Sequence, residues 1–284
     1  MLPGSQVLFA KVYGHPEVFD TILTDHLPAL LSAWDPPPAC WFVRYRTPAP
    51  HLRLRLHLRD YGQGAVRVGV WAAELRRRGL IGDLALDTYH PETARYGSGA
   101  TMAAAEAVFA ADSAAVLAQL AAMAASREVH PHALTAASLL DLAAAMTGSQ
   151  PAGMRWFLDH PELAGHAPVR DRAMFRQALS LAGLDGDRAA LQAIPGGPQI
   201  ATAWHLRRLA VTRYADCLAG DATHLTPTSV LVSLLHLHHV RAHGIDPASE
   251  GLSHRLARAV ALAWSAPGNT PRNPRDDPAR RQPG

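Results

Sequence analysis

The sequence predicts an α+β protein, with an N-terminal ferredoxin-like (βαββαβ) sheet half packed against a C-terminal all-helical half. Two observations predict it. Between residues 7 and 90 the apolar pattern switches between period two and helical spacing, in the order strand, helix, strand, strand, helix, strand. From Thr101 onward the pattern is helical throughout. At 284 residues and 48% hydrophobic content, the chain is long enough to bury a core.

Leu8 to Tyr13 reads as the first strand, broken by Gly14-His15-Pro16. Phe19, Ile22, Leu23, Leu27, Leu30 and Leu31 then recur at helical spacing as far as Trp34, and Asp35-Pro36-Pro37-Pro38 stops that helix. Trp41-Phe42-Val43-Arg44-Tyr45 is aromatic and branched enough for a strand, and Thr47-Pro48-Ala49-Pro50 turns the chain. The next strand, His51-Leu52-Arg53-Leu54-Arg55-Leu56-His57-Leu58-Arg59, alternates leucine with histidine or arginine. Side chains alternate across a strand, so one face is oily and the other strongly cationic. Ala65 to Arg78 is helical with a Gly79 stop, and Leu84 to Tyr89 is a short closing strand.

In this order the third strand is central, with its leucines under the two helices and its arginines on the opposite face of the sheet. That cationic face is either solvated or roofed. The helical half supplies a candidate roof: helices near Met102 to Met123, Leu134 to Met146, Met154 to Leu158, Arg170 to Leu181, Ile200 to Ala219, Pro227 to His243 and Ser253 to Trp264. We therefore expect one domain over residues 1–265, with a sheet-rich part at 7–90 and a helical part at 100–265. The Pro-, Arg- and Asn-rich tail at 266–284 is expected to be disordered.

No run of eighteen apolar residues occurs, and Met1-Leu2-Pro3-Gly4-Ser5 lacks the features of a signal peptide, so a soluble, cytoplasmic chain without a membrane partner is expected. Cys40 and Cys217 match no metal or redox spacing and read as small buried side chains. Two of the three net positive charges lie in the tail, which argues against direct nucleic-acid binding by the folded part.

Guanidinium groups bind carboxylates in bidentate geometry, so Arg53 and Arg55 read either as a solvated face or as an anion site. Arg95, in the loop from Asp87 to Gly99, either joins them or pairs with Glu92 three residues away. His236-Leu237-His238-His239-Val240-Arg241 sits in an apolar helix, where a histidine is either a general acid or base or part of a surface cluster, and Arg241 reads as a helix cap. His239 and His243 have metal spacing, but no carboxylate or cysteine completes a set, so neither a metal nor a cofactor is assigned. There is no phosphate loop, dinucleotide fingerprint, nucleophile elbow or zinc-hydrolase helix. Arginines and a histidine without a nucleophile suit proton transfer beside an anionic group, such as an elimination.

Trp41 to Tyr45, His51 to Arg55, Tyr89 to Gly97, Ala105 to Phe109, Asp112-Ser113 and Ser233 to His238 occur in an order that resembles the C-terminal elimination domain of class I lantibiotic dehydratases, also called the thiopeptide-type bacteriocin biosynthesis domain. The resemblance covers about residues 7 to 264, as though that domain stood alone. It implies elimination of glutamate from glutamylated serine or threonine of a precursor peptide, giving dehydroalanine or dehydrobutyrine. A separate glutamyl-tRNA-dependent partner protein would add the glutamate and help to present the peptide.

By the same resemblance Arg55, Arg95 and His236 are expected to be catalytic, and Arg53, beside them, and Glu92, which would orient Arg95, to be substrate-binding. Ser98 stands where the family has a second glycine, and Val240 where it has an asparagine. Two alternatives stay open: the pyridine synthase of thiopeptide pathways, whose members tend to lose the elimination arginines, and a non-catalytic subunit that binds the precursor peptide. The sequence also leaves a homodimer open.

Overall fold

The computed structural model describes residues 6–165, 167–183, 188–220 and 225–266, so the expected tail, Ala266 apart, lies outside the described residues. Strands β1 (Val7–Tyr13), β2 (Cys40–Tyr45), β3 (His51–His57) and β4 (Asp83–Asp87) form an antiparallel sheet in the order β2-β3-β1-β4. The sequence predicts β3 to be central, and it is: it pairs with β2 and β1. Strand β4 stops two residues earlier than its pattern suggested, which frees Tyr89 from the ladder.

Leu52, Leu54 and Leu56 are fully buried, beneath Phe19, Ile22 and Leu27 on one side and Val68, Ala72 and Leu75 of α3 (Tyr61–Arg77) on the other. Each such leucine contributes about 1.5–3 kcal/mol of hydrophobic stabilisation. The first helical segment is broken where one regular helix was expected. A 3-10 turn (Pro16–Val18), α1 (Phe19–Thr21), a π turn (Ile22–His26) and α2 (Leu27–Leu31) follow one another, and the last ends short of Trp34. Pro28 explains the wide turn: its ring has no N–H and crowds the carbonyl four residues back, so the Leu27 N–H bonds to Ile22 O instead.

A short helix, α4 (Thr93–Tyr96), occupies what the sequence suggested was loop, and Gly97 ends it at φ 91°, a left-handed conformation that favours glycine. Ser98 has φ −119° and ψ 168°, extended backbone that any residue adopts, so a serine there needs no glycine substitute. Then follow α5 (Gly99–Ala125), α6 (Pro131–Thr147), α7 (Gln150–Asp159), α8 (Arg172–Ala182), α9 (Ala189–Ala193), α10 (Gly197–Gly220), α11 (Pro227–His243) and α12 (Pro247–Ser265). Helix α12 begins earlier than its apolar pattern, because Asp246 caps it by accepting from the N–H groups of Ala248 and Ser249.

Helix α5 packs on α10 and against β2. It is long and apolar enough to cross a membrane by length and composition, with half of its most apolar stretch buried. Its inner face carries Asp112, Ser113 and Gln119, all buried. The outer edge of β2 is occupied by helix side chains: Phe42 N–H donates to Ser113 Oγ at 3.2 Å, and Phe42 O accepts from Arg241 Nε at 3.0 Å. The cysteines, read from the sequence as small buried side chains, are partly buried and pack against the two cores, Cys40 at the start of an edge strand and Cys217 near the C-terminal end of α10.

Candidate active site

On the sheet face opposite the leucines, Arg55 sits between Phe9 of β1 and Trp41 of β2, its register neighbours. Its guanidinium carbon lies 4.7 Å from the Phe9 ring centroid and 5.5 Å from that of Tyr89. Burial pushes Arg55 down to about 10, with Arg53 and Arg241 adding like charge, so it stays cationic at neutral pH. Its Nε is buried without a hydrogen-bond partner.

Arg55 belongs to a small recess of about 50 Å³ lined also by Trp41, Tyr89, Glu92, Leu237 and Arg241. The roof anticipated for the arginine face is thus built from the loop after β4 and from α5 and α11. Arg241 is not the helix cap that its position suggested. Its side chain turns into the protein, where Nε reaches Phe42 O and Nη1 reaches Asp112 Oδ2 at 2.8 Å. Its Nη2 is buried without a partner. A guanidinium placed among a carboxylate and a strand carbonyl gains more than one exposed at a helix end, because each donor bonds a fixed acceptor in low dielectric.

Arg95 and Glu92 stand at the exposed side, with Nη1 to Oε2 at 3.4 Å. Glu92 acts on Arg55 as an opposite charge, and Arg95 is near enough to His236 to oppose its protonation. His236 is half-exposed, and its Nδ1 lies 2.8 Å from Glu250 Oε1, a hydrogen bond that raises the imidazole above its ordinary value. Arg55, Glu92, Arg95 and His236 therefore form a chain of neighbouring charges from the recess to the surface. Arg53 is set apart. Its guanidinium lies 3.4 Å from the Tyr45 ring centroid and its Nε donates to His51 Nε2 at 3.2 Å, outside the recess wall.

Behind the recess lies a buried network. Asp112 accepts from Arg241, from Arg207 Nη1 at 2.8 Å and from His238 Nδ1 at 2.7 Å. Burial alone would raise the Asp112 carboxyl, but His238, Arg241 and Arg207 hold it far below the usual carboxylate range. Arg207 also donates to Asp141 Oδ2 at 3.0 Å, and Asp141 receives Arg208 and Arg188 as well. The network fixes α5, α6, α10 and α11 relative to one another, and through Arg241 it fixes the recess wall.

His239 and His243 did not assemble a metal set: among the described residues no group of three or more potential ligands is arranged for a metal. They stack instead, His239 on His243 at 4.8 Å and His243 on His132 at 4.5 Å between centroids. Sequence reasoning missed Tyr89, Asp112, Arg241 and Glu250 as site-forming residues. Asp112 carried a signal, since a carboxylate on an otherwise alanine-rich helix face needs a buried partner, whereas Glu250 lay in a stretch with no chemical pattern of its own.

An antiparallel sheet is thus roofed by helices, and two arginines with unpaired guanidinium donors, Arg55 and Arg241, line one recess between them. The chain belongs to the lantibiotic biosynthesis dehydratase C-terminal family, whose model matches residues 8–261. The subtilin biosynthesis protein SpaB of Bacillus subtilis is 37% identical over 79 residues, 26% of this chain and 7% of SpaB. Among solved structures, the tRNA-dependent lantibiotic dehydratase MibB of Microbispora sp. 107891 superposes with a TM-score of 0.77 at 24% identity, over 93% of this chain and 28% of MibB. The pyridine synthase TbtD, from thiomuracin biosynthesis, superposes with a TM-score of 0.60 at 14% identity, over 91% of this chain and 98% of TbtD. The chain spans less than a third of MibB and under a tenth of SpaB.

Proposed function

We propose that this chain eliminates glutamate from glutamylated serine or threonine of a ribosomally made precursor peptide, in the cytoplasm, as a lyase that needs no cofactor. The observation that carries the reading is the pair of unpartnered buried donors, Arg55 Nε and Arg241 Nη2, on two arginines that line one recess, where Glu92 also lies and pairs with Arg95 outside it. Buried donors left unsatisfied cost stability, and an anionic substrate group in the recess would satisfy these two.

In this reading residues 1–265 act as one domain whose sheet half is ferredoxin-like, which the strand order β2-β3-β1-β4 supports. Arg55 and Arg95 hold the one free carboxylate and the ester carbonyl of the glutamyl group. His236 takes the α-proton of the esterified residue, the guanidinium groups stabilise the enolate oxygen that develops, and the Cβ–O bond breaks. Glutamate leaves as a carboxylate with its charge balanced by arginine, and a Cα=Cβ double bond remains. Glu92 orients Arg95, and Arg53 supports the rim by placing a second positive charge beside Arg55. The glutamyl group comes from a glutamyl-tRNA-dependent partner protein, so this chain needs no nucleic-acid contact of its own.

A second reading is pyridine synthesis from two dehydrated residues, the reaction named for TbtD, whose fold this chain shares. Two substrates separate the readings. Incubating the purified protein with a glutamylated precursor peptide should release glutamate and leave a dehydrated peptide by mass. Release of the leader from an already dehydrated peptide, with no effect on the glutamylated one, would establish the synthase instead. Binding of the glutamylated peptide without any mass change would identify a non-catalytic subunit.

A further inference from the structure

The base of the proposed reaction is a half-exposed histidine, and an imidazole free in solvent has no fixed tautomer or orientation. His236 is not free. Helix α12 begins at Pro247 and brings Glu250, in its first turn, to 2.8 Å from His236 Nδ1 on α11. The backbone that carries the carboxylate is anchored: Glu250 N–H donates to Asp246 O at 2.9 Å, and Asp246 caps the helix. The Glu250 side chain is only 22% exposed, and the same Oε1 lies 3.9 Å from Nε2 of buried His254.

We infer that Glu250 is a positioning residue for the elimination reaction: by accepting the Nδ1–H of His236 it fixes the tautomer in which Nε2 is the free base and aims that atom at the substrate. This rests on the elimination reading given above. The role is that of the carboxylate behind the histidine in acyl-transfer triads, where the acid orients the imidazole and stabilises its protonated form without taking the proton. The proton removed from Cα thus stays on His236 Nε2 as an imidazolium paired with Glu250, until solvent takes it.

The charged groups that face this pair come from three elements. Arg95, from α4, opposes protonation of His236. His239 from α11 and His254 from its own helix also face Glu250, both lowered by burial and so neutral at pH 7, and the Glu250 carboxyl is held below the ordinary range by His236 despite its burial. The hydrogen bond from Glu250 outweighs burial and Arg95 and favours the imidazolium, and removing the carboxylate leaves burial and the arginine, both of which oppose it.

The test is Glu250→Gln, nearly isosteric, beside Glu250→Asp as the conservative variant, each with two readouts. The first is the titration of His236 followed by nitrogen NMR of the imidazole, and the second is the pH profile of glutamate release from glutamylated peptide. With Glu250→Gln the His236 midpoint should fall, the acid limb of the profile should move to lower pH with it, and the plateau rate should drop about ten- to a hundredfold. Glu250→Asp should recover the midpoint and part of the rate. A His236 midpoint and a pH profile both unchanged in Glu250→Gln would overturn the inference, as would a plain loss of rate with the midpoint still in place. A wild-type chain that releases no glutamate refutes the functional reading alone, because the NMR titration still decides whether Glu250 governs His236.

Discussion

Arg241 donates its Nε to the carbonyl of Phe42 at 3.0 Å, which ties the helix that carries His236 to an edge strand of the sheet that carries Arg55. The return bond from Arg44 Nε to Arg241 O at 2.7 Å ties the same strand and helix, so two buried guanidinium groups hold the halves of the proposed site in register. The remaining donors of Arg241 divide between Asp112 and the recess.

Removing Asp112 should therefore damage the whole helical half. Asp112→Ala leaves Arg207 and Arg241 buried without their shared carboxylate, and breaking such a pair costs about 3–5 kcal/mol. Chemical denaturation should show that loss as a lower midpoint with an unchanged slope.

The recess donors should matter more than charge alone. Arg55→Lys keeps a cation but has no Nε fork, and loss of one well-placed donor to a developing anion costs about 10²–10³-fold in rate. Glutamate release should fall by that order while the melting temperature barely moves, since Arg55 Nε makes no hydrogen bond in the folded chain.

Arg53→Ala should be milder than Arg55→Ala. Its guanidinium lies on Tyr45 and bonds His51, so its loss removes a cation–π contact of about 0.5–1 kcal/mol and weakens the positive field at the rim. Side-by-side rates of the two alanine variants check this ordering, and equal losses would contradict the placement.

Stability should fall on acidification before the carboxylates titrate. Burial pushes His239 down to about 4 and lowers His132, His243 and His254 as well, so the fold holds them neutral while the unfolded chain protonates them. A group with a depressed folded value stabilises fully above its unfolded value of 6.5, and that contribution is lost as pH falls towards 4. The melting temperature should decline steadily between pH about 7 and about 5.

How much of this was legible in the sequence depends on the length scale of the cause. The two faces of β3 were legible because a period of two is written into consecutive residues, and the burial of Leu52, Leu54 and Leu56 beside the partial exposure of Arg53 and Arg55 follows it. The π turn at Ile22–His26 was not, because apolar spacing is blind to what Pro28 does to the carbonyl four residues back. Arg241 read as a helix cap because its burial depends on Asp112, 129 residues away, and on Phe42, 199 residues away. The histidine run of α11 showed that a histidine was available, but its helical rotation decides which one faces out: His236 does, whereas His238 and His239 are fully buried.

The central claim is that one recess with Arg55 at its floor and Arg95 at its exposed side removes glutamate from an acylated peptide. Mass spectrometry of glutamylated precursor peptide after incubation with the purified wild-type chain, beside Arg55→Ala and Arg95→Ala, tests it most directly. The account predicts free glutamate and dehydrated peptide with the wild type, and intact glutamylated peptide with both variants. Intact glutamylated peptide with the wild type, or full conversion by either variant, would contradict it.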